Sequence, residues 1–258
     1  MFDLGGKIAL ITGGCGLLGI KHAEAILEFG GEVILADVVA SSERERIVNT
    51  LKTRYSKVRS VYMDVTDKAS IQDAVDGYEN IHILINNAAL DPKVEKGFSW
   101  KNKFENLELD SWNKTINVTL NGVFLCSQVV INKMLFTKTE GVILNIASDL
   151  SVIAPDQRIY TDGPKPAAYG VAKAGVVNLT KYLATYFAKN NIRVNSLSPA
   201  GVSNNQVSEF VSRYSKLIPM NRMAMPDEFK GAVVFLCSDA SSFMTGHNLI
   251  IDGGRTVW

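Results

Sequence analysis

Seven short apolar runs rich in Val, Ile and Leu recur along this 258-residue chain, at 7–12, 32–37, 58–63, 81–86, 141–148, 193–198 and 248–252. Between them lie stretches with helical spacing of apolar residues, including 19–29, 70–78, 110–135, 169–189 and 226–236. Strands separated by helices of this length cannot pair as tight hairpins, so they read as repeated βαβ units. The pattern predicts an α/β fold, a doubly wound parallel sheet flanked by helices on both faces. No linker, repeat or low-complexity tract interrupts it, so residues 1–258 are expected to form a single domain.

Composition narrows the function classes. A net charge of +1 argues against a nucleic-acid or anionic-membrane surface as the main partner. Cys15, Cys126 and Cys237 are widely spaced, without a C-x-x-C pair or a cluster with His, so they are expected to be reduced thiols and no metal site is expected. The N-terminus runs into an apolar strand without a basic start or cleavage site, and no apolar run reaches the roughly 18 to 20 residues of a membrane span. The expected compartment is the cytoplasm.

The first run ends in Thr12-Gly13-Gly14-Cys15-Gly16-Leu17-Leu18-Gly19, followed at once by a helical pattern. Glycines there let the backbone turn tightly and approach a pyrophosphate, whose charge meets the helix N-terminal amides. The second run ends at Asp37, 24 residues after Gly13, where a carboxylate accepts hydrogen bonds from the adenosine ribose hydroxyls. That charge repels a 2'-phosphate, and neither Arg nor Lys stands at positions 14, 15, 38 or 39 to receive one. The turn and the acid together point to a Rossmann-type dinucleotide site that takes NAD in preference to NADP.

Tyr169 and Lys173 are four residues apart and share one face of a helix. A neighbouring ammonium is expected to favour the phenolate and lower the phenol pKa from near 10. Such a pair also arises by chance on amphipathic helices, so its meaning depends on what else converges on it.

With these features together, the chain resembles the short-chain dehydrogenase/reductase family over nearly its whole length. Asp64-Val65 looks like the family's adenine-binding acid and its neighbour, and Asn86-Asn87-Ala88-Ala89 stands where the family has Asn-Asn-Ala-Gly. Asn117 matches the asparagine of the catalytic tetrad, and Asn145-Ile146-Ala147-Ser148 places Ser148 as its serine. Ser198-Pro199-Ala200-Gly201-Val202 resembles the segment that holds the nicotinamide, with Asn204 where a threonine often contacts the carboxamide. The resemblance implies a catalytic set of Asn117, Ser148, Tyr169 and Lys173. It implies cofactor contacts from Gly13, Cys15, Gly16, Leu17, Leu18, Gly19, Asp37, Asp64, Val65, Asn87, Ala88, Ala89, Tyr169, Lys173, Pro199, Val202 and Asn204. Tyr169 would be the acid/base, Lys173 would also bond the nicotinamide ribose, Ser148 would donate to the substrate oxygen, and Asn117 would steady a proton-relaying water. The family commonly forms dimers or tetramers through helices beginning near Asn121 and Tyr169.

Departures bear on substrate. Leu17 replaces a usual glycine, giving a turn like that of nucleotide-sugar-modifying members, although the chain ends at Trp258 with little room for their second domain. Twenty residues separate Ser148 from Tyr169, more than is usual, and the interval from Asn87 to Asn117 also looks extended. These loops carry Asp156, Gln157, Arg158, Tyr160, Asp162 and Lys165 in one, and Lys93, Glu95, Trp100 and Lys101 in the other. Their hydrogen-bonding groups and aromatics suit a polar alcohol or ketone, such as a sugar derivative, better than a steroid or acyl chain. The glycine-rich turn and the C-terminal Gly253-Gly254-Arg255-Thr256-Val257-Trp258 also resemble a subgroup linked to bacterial surface-sugar and flagellin modification. An epimerase or dehydratase using bound NAD, and a non-catalytic NAD-binding module, stand as alternatives.

Overall fold

The computed structural model describes residues 1–91, 103–161 and 163–258. Its strands are β1 (Ile8–Thr12), β2 (Glu32–Asp37), β3 (Val58–Tyr62), β4 (Ile83–Asn86), β5 (Gly141–Ile146), β6 (Ile192–Pro199) and β7 (Asn248–Ile251). They form a parallel sheet in the order β3-β2-β1-β4-β5-β6-β7. The order reverses between β1 and β4, which opens a crevice at the carboxyl ends of those two strands.

The helices are α1 (Leu17–Glu28), α2 (Ser41–Lys52), α3 (Lys68–Asp76), α4 (Leu109–Ile116), α5 (Gly122–Thr137), α6 (Ala167–Phe187), α7 (Ser208–Ser215) and α8 (Lys230–Cys237). Because strand side chains alternate between faces, each central strand feeds two cores. Ala9, Ile11, Val33, Leu35, Ile83 and Ile85 point into the core shared with α1, α2 and α8. Leu10, Ile34, Leu84 and Ile143 point into the other, against α3, α5 and α6. Both faces are therefore dry, which is why the strands read as continuous apolar runs.

Three differences from the sequence reading matter. Helices α2 and α7 are not among the expected helices; α2 buries only Ile47, Val48 and Leu51 beneath a charged outer face, and α7 is a short helix of eight residues. The expected helix 110–135 is α4 and α5 joined by a π-helical segment, Asn117–Asn121, whose extra residue shifts the faces of everything after it. The joined run Leu109–Thr137 is also, by length and composition, long and apolar enough to cross a membrane, contrary to expectation; half of its most apolar stretch is buried inside the protein, as suits a core helix.

Candidate active site

The glycine turn leads from β1 into α1 at the crevice. Gly13 adopts φ +59, and a Cβ on Gly19 would lie 2.3 Å from the Gly13 carbonyl oxygen. Only glycine lets the helix start this close to the turn. Asn87, just past β4, knits the turn in place: its Nδ2 donates to the Thr12 and Gly13 carbonyls at 3.0 Å each. Helix α1 begins with no side-chain cap and no acid in its first turn, so its opening amides face outward with a partial positive charge. Asp37 Oδ2 accepts the Cys15 N–H at 3.0 Å, which brings the acid beside the turn. The Cys15 thiol is pushed up to about 11, mainly by burial and then by Asp37. An uncapped helix start, a tight glycine turn and an adjacent carboxylate fit a dinucleotide.

Leu17, Leu18, Asn87, Ala89, Pro199, Val202 and Asn204 line a cavity of about 650 Å³ that runs from this turn to Ser148, Tyr169 and Lys173. Gly13, Cys15, Gly16, Gly19, Asp37 and Ala88 do not line this cavity; Ala88 donates its N–H to Thr12 Oγ1 at 2.9 Å. Asp64 follows β3, where Oδ1 accepts from the Thr66 N–H and hydroxyl, and Val65 is buried under Gly122.

Strand β5 ends at Ile146, two residues before the expected boundary, so Ser148 stands on extended backbone at the start of a 3₁₀ turn, Asp149–Ser151. Helix α6 begins at Ala167, placing Tyr169 in its first turn and Lys173 one turn later. The Lys173 Nζ lies 5.7 Å from the Tyr169 ring centroid and donates to the Ile146 carbonyl, while Ser148 and Tyr169 are hydrogen-bonded. The expected lowering of the Tyr169 pKa is not what this geometry produces. Burial pushes the phenol up, and the Asp91 and Asp149 charges add to it, against the opposing bond from Ser148. Lys173 is itself buried, and desolvation lowers its pKa to about 8.

Asn117 needs correcting. Its side chain is exposed, accepts from Asn121 Nδ2 at 2.8 Å, and does not line the cavity. The buried polar group of the π-helical segment is Thr119, whose Oγ1 accepts the Leu90 N–H at 3.0 Å and reaches the Leu90 carbonyl. Thr119 thus ties the bulged helix to the chain just after Asn86-Asn87-Ala88-Ala89. The bulge rotates Asn117 away, a displacement that plain α-helical counting does not reveal.

The far end of the cavity is aromatic and charged. Tyr160, Phe210 and Tyr214 form a run of rings at 5.8 and 5.6 Å. Arg213 donates Nε to the Ile159 carbonyl at 2.9 Å, and Lys165 pairs with Asp91 while its Nζ sits 5.1 Å from the Tyr169 ring centroid. Of the expected substrate residues, Tyr160 and Lys165 line the cavity. Gln157 bonds back to Lys165, and Asp156 and Arg158 pair with each other on the surface. Asp162, Lys93, Glu95, Trp100 and Lys101 lie outside the described residues. Met223 lines the cavity, whereas Met220 and Met225 are exposed. Phe210, Arg213 and Tyr214 were missed, since nothing in their spacing links them to the motifs, and Arg255 entered only as part of the C-terminal motif, without a place in the site. Among the described residues no group of three or more His, Cys, Asp or Glu could hold a metal ion.

A family model described as Enoyl-(Acyl carrier protein) reductase matches residues 17–256. The NAD-dependent glycerol dehydrogenase of Listeria innocua serovar 6a is 34% identical over 269 residues, covering 99% of this chain and 96% of that protein. The post-translational flagellin modification protein A of Campylobacter coli is 30% identical over 260 residues, covering 96% and 97%. Among solved structures, a short chain dehydrogenase from Leptospira borgpetersenii serovar Hardjo-bovis with bound NAD+ superposes with a TM-score of 0.86 at 33% identity, covering 99% of this chain and 94% of that one.

Proposed function

The chain belongs to the short-chain dehydrogenase/reductase family and is an oxidoreductase, and from that premise we propose that it interconverts a secondary alcohol and a ketone on a polar, polyol-like or sugar-like substrate, with NAD as cofactor. One observation carries this reading: Ser148, Tyr169 and Lys173 meet in a single cavity that reaches Leu17 and Leu18 at the end of the glycine turn.

The turn and the α1 amides would hold the pyrophosphate, Asp37 the adenosine ribose, and the segment Pro199–Val202 with Asn204 the nicotinamide end. When bound, the nicotinamide supplies the acceptor or donor of the hydride. Tyr169 handles the proton at the substrate oxygen. In ketone reduction it gives its proton to the oxygen as the carbon is reduced. In alcohol oxidation it must first lose that proton, which its burial opposes, and so oxidation is favoured by alkaline conditions. Lys173, with a pKa near 8, exchanges protons close to neutrality beneath it. Ser148 holds the substrate oxygen within reach of Tyr169. The Tyr160, Phe210 and Tyr214 rings beside Lys165 and Arg213 suit a small hydroxylated substrate that stacks and hydrogen-bonds at once.

A homo-oligomer formed through α5 and α6 is part of the same proposal, supported by exposed Phe124, Val171 and Tyr182 on those helices. The test of function is NADH formation across polyols, sugars, sugar phosphates and simple alcohols. NAD-dependent absorbance growth with a polyol is expected. Product without net NADH would instead indicate an epimerase or dehydratase, and NAD binding without turnover of any substrate a binding module.

A further inference from the structure

Directly behind Ser148 lies a buried ion pair that the reaction as described does not use. Asp149 follows Ser148 in the chain, and Arg255 arrives from the C-terminal turn; their side chains are 3% and 5% exposed. Asp149 Oδ1 accepts the Ser148 hydroxyl at 2.9 Å and the Leu150 N–H at 2.8 Å. Asp149 Oδ2 accepts from Arg255 Nη1 and from the Tyr214 hydroxyl at 3.3 Å. The Tyr214 oxygen in turn accepts the Gly201 N–H at 2.7 Å and Arg255 Nη1 at 3.1 Å. One carboxylate therefore joins the serine, the segment after β6 and the end of the chain.

Each approach is built for this meeting. Asp252 caps the last turn through the Gly254 and Thr256 N–H groups at 2.9 and 2.7 Å, which turns Arg255 inward. Gly254 sits at φ +93, where a Cβ would come within 2.8 Å of Pro219. A Cβ on Gly201 would lie 2.6 Å from the Tyr214 ring, so glycine there admits the ring. An ion pair buried this deeply contributes little net stability, because desolvation offsets the attraction. What it does supply is position: the Ser148 hydroxyl is anchored on Asp149 Oδ1, and its oxygen also accepts the Leu150 N–H at 3.2 Å.

We propose that Asp149 and Arg255 are positioning residues of the hydride-transfer site, the pair fixing the Ser148 hydroxyl and the Pro199–Val202 segment in one arrangement and making the C-terminal turn part of the active site. The inference rests on the role given to Ser148 and Tyr169 above. Asp149 also faces Tyr169 as a charge, together with Asp91, Lys165, Lys173 and Tyr214, and it raises the phenol's proton affinity.

Three variants test it beside the wild type and Tyr169→Phe. Asp149→Asn is expected to lower kcat roughly 10²-fold through misplacement of the serine. It should weaken NAD binding far less than it lowers kcat, and move the alkaline limb of alcohol oxidation to lower pH, a shift that a purely structural residue would not produce. Arg255→Lys keeps the positive charge and should retain part of the wild-type activity. The double variant Asp149→Leu/Arg255→Met replaces the pair with apolar side chains, which preserves folding, and should be as slow as Asp149→Asn. Full kcat with an unshifted pH limb in the double variant overturns the proposal. If Tyr169→Phe is inactive while Asp149→Asn is fully active, only the positioning role falls; an active Tyr169→Phe overturns the reading of the site itself. A readout without substrate decides the proposal independently. A slowly exchanging hydroxyl proton resonance, assigned by its loss in Ser148→Ala, should vanish or move upfield in Asp149→Asn, and an unchanged resonance there contradicts the proposal.

Discussion

The backbone N–H of Cys15 donates to Asp37 Oδ2 at 3.0 Å, so the glycine turn after β1 and the acid that ends β2 act as one unit. Asp37 Oδ1 also accepts the Val39 N–H at 3.3 Å, and Arg44 reaches over from α2 to the Val39 carbonyl while stacking on Tyr62. A cation in the neighbourhood of this acid thus comes from a helix that sequence spacing does not bring to the site. Asp37→Ser should weaken NAD binding by about 1.5–3 kcal/mol, the worth of hydrogen bonds to a charged group. It should also admit NADP through Arg44, a gain that Asp37→Ser/Arg44→Ala loses. Titrations of both cofactors against the three proteins check this.

The pH dependence follows from two buried groups. Burial raises Tyr169, and burial lowers Lys173 to about 8. Alcohol oxidation needs a deprotonated phenol, so its kcat should climb with pH beyond 8, while ketone reduction, which starts from the protonated phenol, should not. The stability sign for Lys173 runs the same way. Its folded pKa lies below the unfolded value, so the unfolded chain binds more protons between about 8 and about 10.5, and this group's contribution to stability rises with pH across that window. Lys173→Met should remove that rise from the pH dependence of Tm and depress turnover.

Thr119, and not Asn117, is the polar group buried in the π-helical segment. Asn117→Ala should leave kcat near the wild-type value. Thr119→Val strips the Leu90 N–H of its acceptor, which costs about 1–3 kcal/mol, and should lower both Tm and kcat. Comparing the two variants in one melting and activity series checks the reassignment.

A methyl group at position 19 has nowhere to go, because its carbon would lie 2.3 Å from the Gly13 oxygen. Gly19→Ala should cost about 1–3 kcal/mol by overpacking, roughly 2–4 °C of Tm per kcal/mol in a chain of this size. NAD affinity should fall with it, since the turn must shift. Gly16→Ala, whose added carbon would meet only the Gly13 oxygen at 3.3 Å, should be milder in both assays.

Much of this was legible from local pattern. The run at 32–37 coincides with its strand because side chains buried on both sheet faces leave an unbroken apolar signal. The Tyr169/Lys173 interval survives folding because it lies within one regular helix. Where regularity breaks, the reading drifts: one extra residue per π turn moves Asn117 to the surface and Thr119 inward. Helix α2 escaped notice because Glu43, Arg44, Glu45 and Arg46 hide its narrow apolar stripe. The Asp149, Tyr214 and Arg255 network had no sequence signal at all, since its members are separated by 65 and 41 residues and meet only through the fold. The direction of the Tyr169 pKa was equally hidden: the ammonium expected to lower it is visible in sequence, and the burial that raises it is not.

The most direct test of the account is the turnover of Tyr169→Phe with NAD and the polyol that the wild type oxidises best, alongside NAD binding measured by calorimetry in both proteins. The account predicts a loss of kcat of about 10²–10⁴-fold, the span typical for removing a general acid/base, with the Kd for NAD unchanged. Turnover by Tyr169→Phe at the wild-type rate would contradict it.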